Sequence, residues 1–238
     1  MARMRIFAGP NGSGKTTLNQ QLQGKANFGV YLNPDDLYCQ ITKEGSLDLR
    51  QYGEEEKSLN WATFKNNHGL TGNLKSNDAK VVCSDCQLKF SETPSVYLVS
   101  IVIDYLRHLL LLNNKTFSFE TVFSHESKIA LIAEAADKGY RTYLYFVCTS
   151  SADINVLRVK QRTKEGGHDV PENKIRSRYN RSLKNLSGGI KLAYRTYLFD
   201  NSGRKTNLIA EVTPGKHLIV STSRVPLWFQ EHILPLFS

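Results

Sequence analysis

Apolar residues in this chain fall in short runs separated by longer amphipathic stretches, the pattern of strands alternating with helices. Met4 to Ala8 reads as a buried strand, and Thr17 to Leu22 as a helix that begins near Lys15. Gly29 to Leu32 reads as a short second strand. Asn33 is a good N-cap and Pro34 suits a first helical position, so a helix follows with Asp35 and Asp36 in its first turn. Thr116 to Thr121 is a buried strand ending in the Glu120 carboxylate, and His125 to Lys138 an amphipathic helix closed by Gly139. Arg141 to Cys148 is a strand whose continuous apolar centre suits a parallel sheet covered on both faces. Tyr194 to Gly203 gives a further strand and turn. Leu208 to Val212 and His217 to Val220 form a hairpin about Pro214-Gly215, and Val225 to Phe237 a terminal helix with Trp228 and Phe229 in the core.

Between Lys43 and Asn114 the rhythm changes. Tyr52 to Lys65 reads as helix, with Leu59 and Phe64 among its apolar positions, and His68 to Asp85 as loop. Ser91 to Pro94 then opens a long apolar helix carrying Val96, Val99, Ile103, Leu106, Leu109 and Leu110. The expected fold is therefore α/β, a mostly parallel sheet with helices on both faces, interrupted by a largely helical insertion at about 43–114. At 238 residues this is expected to be one domain, with its C-terminal hairpin and helix at about 204–238.

The strand at Met4 to Ala8 leads into Gly9-Pro10-Asn11-Gly12-Ser13-Gly14-Lys15-Thr16, which fits the phosphate-binding loop G-x-x-x-x-G-K-[ST]. Its glycines allow successive N–H groups to surround nucleotide phosphates, and the helix behind it favours an anion. Lys15 would reach the outer phosphates and the Thr16 hydroxyl a Mg²⁺ ion. Gly9 through Thr17 are thus the expected ATP contacts. The strand before and helix after the loop narrow the fold class to a P-loop NTPase of the nucleotide-kinase kind. Asp35 and Asp36 fall at the carboxyl end of a strand, where open α/β sheets bind ligands. They serve either as base and acceptor contact there or only as complements to the helix dipole.

Charge changes the picture locally. The net charge is +9, and from Arg158 to Lys184 nine basic residues face three acidic ones. Two helices here, joined by a Gly-Gly turn and both rich in arginine, would make a hinged lid at about 152–186 over the phosphates. Arginine suits the charge that spreads over a transferring phosphoryl group. The basic residues lie in one segment and lack the aromatic interleaving of a single-strand binder, which disfavours nucleic acid as partner. No apolar run is long enough to span a bilayer, and no secretory signal precedes the loop, so the expectation is a cytoplasmic protein without a membrane partner. Cys83 and Cys86 have the spacing of half a zinc site without a second pair; Cys39 with His68 or His108 would have to complete it, and reduced thiols are expected, with Cys148 buried.

Four motifs taken together resemble the zeta toxin family of P-loop kinases: AGPNGSGKTT at Ala8–Thr17, NPDD at Asn33–Asp36, FSFET at Phe117–Thr121, and GGHDVP at Gly166–Pro171 with its arginine-rich flanks. The resemblance implies phosphorylation by ATP and Mg²⁺ of a sugar-nucleotide, UDP-N-acetylglucosamine, at its sugar 3′-hydroxyl, and a small helical antitoxin as partner. By position, Asp35 resembles the catalytic base, and Lys15 and Thr16 the phosphate and Mg²⁺ contacts. Arg162 and Arg176 match the two arginines that bridge ATP phosphates across the lid, with Arg158 and Arg178 as alternatives. Asn33, Asp36, Glu120, Thr121 and His168 fall on the acceptor side, Glu120 also as holder of a metal-bound water. Asp200-Asn201-Ser202 sits where related kinases place the loop near adenine. A kinase of another small metabolite or nucleotide is the alternative, and a nucleic-acid-stimulated ATPase a remoter one.

Overall fold

The computed structural model describes residues 1–166 and 169–237, Asn77 and Ala79 by their backbone alone. In chain order it forms β1 (Arg3–Ala8), α1 (Lys15–Leu22), β2 (Val30–Leu32), α2 (Pro34–Glu44), β3 (Ser46–Asp48), α3 (Trp61–Asn67), β4 (Val81–Ser84), β5 (Gln87–Phe90) and α4 (Val96–Leu112). These are followed by β6 (Phe117–Thr121), α5 (Ser127–Asp137), β7 (Arg141–Cys148), α6 (Ala152–Lys164), α7 (Glu172–Leu192), β8 (Arg195–Asp200), β9 (Asn207–Val212), β10 (Leu218–Val220) and α8 (Leu227–His232). The chain divides into two compact units, Arg3–Asn27 with Phe119–Ser238, and Phe28–Ser118.

In the first unit the sheet runs β10-β9-β8-β7-β1-β6, with the last three residues of β6 belonging to it. Strands β1, β7 and β8 are parallel, while β9 pairs antiparallel with β8 and β10 antiparallel with β9. Register places buried rows across one face: Ile6, Leu144, Thr196 and Val212 form one, and Ala8, Phe146, Leu198 and Ala210 the next. Each such large apolar side chain taken from water contributes about 1.5–3 kcal/mol. The opposite face carries stacked rings, Phe7 on Tyr145 and Tyr145 on Tyr197, with centroids 5.0 and 5.1 Å apart. The β7 strand is therefore half-buried at Tyr143 and Tyr145, where its tyrosines replace the aliphatic pair expected of a strand covered equally on both sides.

Helix α7 lies directly on this sheet because Gly188 and Gly189 remove the side chains that would hold it off. A Cβ at Gly189 would come within 3.0 Å of Leu144 and Phe123, and one at Gly188 within 2.9 Å of Ile129 on α5. Helices α6 and α7 are the two predicted lid helices. They share a small apolar core of Val156, Val159 and Ile175, closed by Val170. Trp228 and Phe229 of α8 are buried, and the Trp228 indole N–H donates to Asp200 Oδ1 at 3.1 Å.

The second unit is built on α4, whose N-terminus is capped by the Ser95 hydroxyl accepting the Leu98 N–H at 3.1 Å. Its seventeen residues are mostly buried, including Arg107, whose guanidinium is ion-paired to Asp104. The expected Tyr52–Lys65 helix begins only at Trp61, because the Asn60 side chain accepts the Thr63 N–H at 2.8 Å and starts the turn there. A three-stranded antiparallel sheet, β3-β5-β4, forms here, and its β4 falls in the His68–Asp85 stretch expected to be loop. Its hairpin turns at Asp85 and Cys86, both at positive φ, the conformation of a two-residue I′ turn. Cys83 and Cys86 are thus parts of a hairpin; all four thiols are free, and among the described residues no group of three metal-ligating side chains forms. Among the described residues no helix is long and apolar enough to cross a membrane.

Candidate active site

The phosphate loop leaves the carboxyl end of β1 and is fixed at both ends by the backbone. The Gly9 N–H donates to Thr121 O at the end of β6, and the Ser13 N–H to Pro10 O at 3.2 Å, which closes the loop on itself. Gly12 and Gly14, like Gly9 before them, are required by position. Gly12 and Gly14 have φ of +75° and +96°, and a Cβ at either would meet a neighbour: Asn155 O at 2.7 Å for Gly12, the Asn201 amide for Gly14. Gly14 is also the N-cap of α1, so no side chain stands at the mouth of that helix.

Within the loop Lys15 Nζ donates to Pro10 O at 3.0 Å, so its ammonium folds over the loop. The Thr16 hydroxyl donates to Glu120 Oε2 at 2.9 Å, and Glu120 is 8% exposed. Ser13 Oγ is fully buried and has no hydrogen-bond partner among the described residues. A buried hydroxyl without a partner is costly unless a ligand satisfies it. The arrangement fits a nucleotide's phosphates: a cradle only glycine can line, an ammonium above it and an orphaned hydroxyl within it. The Thr16 hydroxyl beside the Glu120 carboxylate is the hard oxygen set that Mg²⁺ takes.

The lid arginines separate by what they touch. Arg178 Nη1 donates to Asn11 Oδ1 at 3.3 Å, which brings this side chain of α7 onto the loop. Burial first, and then neighbouring Arg181, hold its guanidinium below the usual arginine range. Arg158 donates to Gly203 O at 3.3 Å. Arg176 is paired with Asp153 at 2.7 Å and Glu172 at 2.9 Å, tying α6 to α7 at the surface. Hydrogen bonds from Lys160, then Arg176, hold the Glu172 carboxyl below the usual range. Arg162 is exposed on the last turn of α6, and Thr17 exposed on the first turn of α1.

Thr121 closes β6 with its hydroxyl accepting the Phe123 N–H at 3.2 Å. Asn33, Asp35 and Asp36 belong to the second unit, at the head of α2. There Asn33 Oδ1 accepts the Asp35 N–H at 2.9 Å and Pro34 fills the first helical position, leaving both aspartates exposed. His168 lies outside the described residues. Two contacts on the loop go beyond the sequence reading: Asn155, which it did not single out and whose Nδ2 donates to Asn11 O at 2.5 Å, and Asn201, which it set near adenine and whose Nδ2 donates to Ser13 O at 2.8 Å. The one signal for Asn155 is a buried amide on the apolar face of α6 beside Val156 and Val159.

This architecture recurs in solved structures. AvrRxo1-ORF1:-ORF2, solved with ATP, matches all of this chain and 65% of its own, with a TM-score of 0.58 at 15% identity. The PezAT chromosomal toxin-antitoxin system of Streptococcus pneumoniae matches 89% of this chain and 72% of its own, with a TM-score of 0.52 at 13% identity. The chain has their fold. It is a P-loop α/β fold with a mostly parallel sheet, as the sequence led one to expect. An uncharacterised protein of Haemophilus influenzae is 30% identical over 74 residues, 31% of this chain and 53% of that protein. This chain therefore spans under two thirds of the AvrRxo1 chain, and the matched segment about half of the Haemophilus protein. No protein-family model matches the chain.

Proposed function

We propose that this chain is a P-loop kinase of the zeta-toxin type, moving the γ-phosphoryl group of ATP to a hydroxyl of a sugar-nucleotide such as UDP-N-acetylglucosamine. The observation that carries the reading is the phosphate loop itself, a glycine-lined cradle holding Lys15, the buried Ser13 hydroxyl and the Thr16–Glu120 pair, with Arg178 resting on Asn11. The ATP in the AvrRxo1 complex belongs to that protein and supports the same nucleotide here.

In this reading the loop N–H groups and Lys15 bind and orient the triphosphate, and Arg178 neutralises charge spreading on the transferring oxygens. Thr16 and Glu120 would hold Mg²⁺, which when bound neutralises phosphate charge. Asp35 is the base, a role resting on its place at the head of α2 and on the family resemblance. The acceptor oxygen forms its bond to the γ-phosphorus as the bond to the β,γ-bridging oxygen breaks, and the hydroxyl proton goes to Asp35. ADP leaves with the bridging oxygen. By the same resemblance a small helical antitoxin is the partner, a reading that the likeness to the PezAT toxin-antitoxin system supports.

Incubating the purified chain with ATP, Mg²⁺ and UDP-N-acetylglucosamine tests this. The expected result is a sugar-nucleotide heavier by one phosphate with an equal amount of ADP. Intact ATP across a panel of sugar-nucleotides would sink the proposal.

A further inference from the structure

We infer that Asn155 and Asn201 are positioning residues that turn the N–H groups of the phosphate loop toward the nucleotide. The ligand rests on the kinase reading above, and the geometry on hydrogen bonds within the first unit. Two relays of the same design reach the loop from different elements. In one, the Thr149 hydroxyl donates to Asn155 Oδ1, and Asn155 Nδ2 donates to Asn11 O at 2.5 Å. In the other, the Thr206 hydroxyl donates to Asn201 Oδ1 at 3.0 Å, and Asn201 Nδ2 donates to Ser13 O at 2.8 Å.

The loop carbonyl fixes which end of each amide faces it, since a flipped amide would set oxygen against oxygen there, and the threonine hydroxyl satisfies the amide's other end. The relays are themselves rooted. Thr149 O accepts the Tyr179 hydroxyl at 2.7 Å, and the Asn201 N–H donates to Cys148 O at 2.8 Å at the end of β7. Asn155 is wholly buried, so its amide has no water with which to exchange partners.

The consequence for the loop follows from the planar trans peptide. A carbonyl turned outward turns the N–H of the next residue the other way. Holding Asn11 O and Ser13 O on the outside therefore directs the N–H groups of Gly12 and Gly14 into the cradle, where successive amides make an anion site. The second relay also accounts for Gly14, and the α6 main chain that carries Asn155 accounts for Gly12. A Cβ at Gly12 would strike Asn155 O, and one at Gly14 the Asn201 amide. The asparagines thus set the donors in place before the nucleotide arrives, and the binding energy is not spent on ordering the loop.

Asn155→Leu and Asn201→Leu remove the donor at nearly constant size and without adding charge, and Thr206→Val loosens the second amide while sparing its donor. Three readouts are taken on each: ATP affinity by calorimetry, hydrogen exchange of the 9–16 segment without ligand, and the melting temperature. Each leucine variant is expected to bind ATP about tenfold more weakly and Thr206→Val about threefold, the range for one neutral hydrogen bond. Loop exchange should quicken in all three, while exchange in the β7 core holds. Unchanged loop exchange in both leucine variants overturns the inference, and so does quicker exchange with undiminished ATP affinity. A wild-type chain that binds no ATP defeats the kinase reading instead, and the exchange data still decide whether the relays order the loop.

Discussion

Replacing Gly12 and Gly14 by alanine, one at a time, separates two costs that the loop geometry predicts to be unequal. Both positions lie at positive φ, +75° and +96°, where an L side chain costs about 1–2 kcal/mol. The neighbours differ. At Gly12 the new Cβ meets main chain, Asn155 O at 2.7 Å, with Val159 Cγ2 at 3.2 Å, so α6 itself must move. Overpacking of that kind adds about 1–3 kcal/mol. At Gly14 the Cβ meets the Asn201 side-chain amide, which can rotate away and give up its bond to Ser13 O, a loss of about 0.5–1.5 kcal/mol. For a chain of this length each kcal/mol lowers the melting temperature by roughly 2–4 °C. Gly12→Ala should therefore melt about 10 °C below wild type and Gly14→Ala about 7 °C below, as read by scanning calorimetry on the first unit's transition. Equal losses, or a larger loss for Gly14→Ala, would refute the claim that backbone and side-chain neighbours set the two costs.

Further outcomes follow from the same site. Arg178→Ala should lower kcat/KM for phosphoryl transfer by about 10²–10³-fold. Arg176→Ala, which breaks an exposed pair with Glu172 and Asp153, should lower it by less than about threefold; steady-state kinetics with matched protein folding distinguish them, and the reverse order would place the phosphate contact on Arg176. Cys148 is buried and its thiol is pushed up to about 12 by that burial, so iodoacetamide at pH 8 should label exposed Cys39 first and reach Cys148 only on unfolding. Because the unfolded chain's thiol ionises near its ordinary value of about 8.5, the neutral Cys148 contributes its stability in full below that pH. That contribution shrinks as pH rises toward about 12, and a melting temperature of Cys148→Ala that falls with pH as steeply as wild type would contradict this. Thr16→Val should remove one hydrogen bond from the Glu120 carboxylate, which is 8% exposed, and cost about 1.5–3 kcal/mol in urea unfolding.

The strand–loop–helix at Arg3–Leu22 was legible because hydrophobic period, glycine spacing and motif all point the same way there. The arginine-rich segment was legible as two helices, because a Gly-Gly pair divides it in the sequence. What stayed hidden depends on long-range neighbours or on a single turn. The β4–β5 hairpin turns on Asp85 and Cys86, which adopt positive φ without the glycine that marks such a turn. Asn60 starts α3 later than periodicity alone would place it. Arg176 and Arg178 are two positions apart on one helix and so face different ways, and only the packing of α7 decides which meets the loop. Asn155 and Asn201 are single amides whose partners lie 144 and 188 residues away, a pairing no local pattern records.

The most direct measurement of the central claim follows the γ-phosphate of labelled ATP given to the purified chain with Mg²⁺ and a sugar-nucleotide, beside Lys15→Ala and Asp35→Asn. The account predicts label on the sugar-nucleotide with wild type, and none above background with Lys15→Ala. With Asp35→Asn the nucleotide still binds, but transfer falls by about 10²–10⁴-fold, the contribution of a positioned general base. Label released only as inorganic phosphate, or retained on ATP, would contradict it.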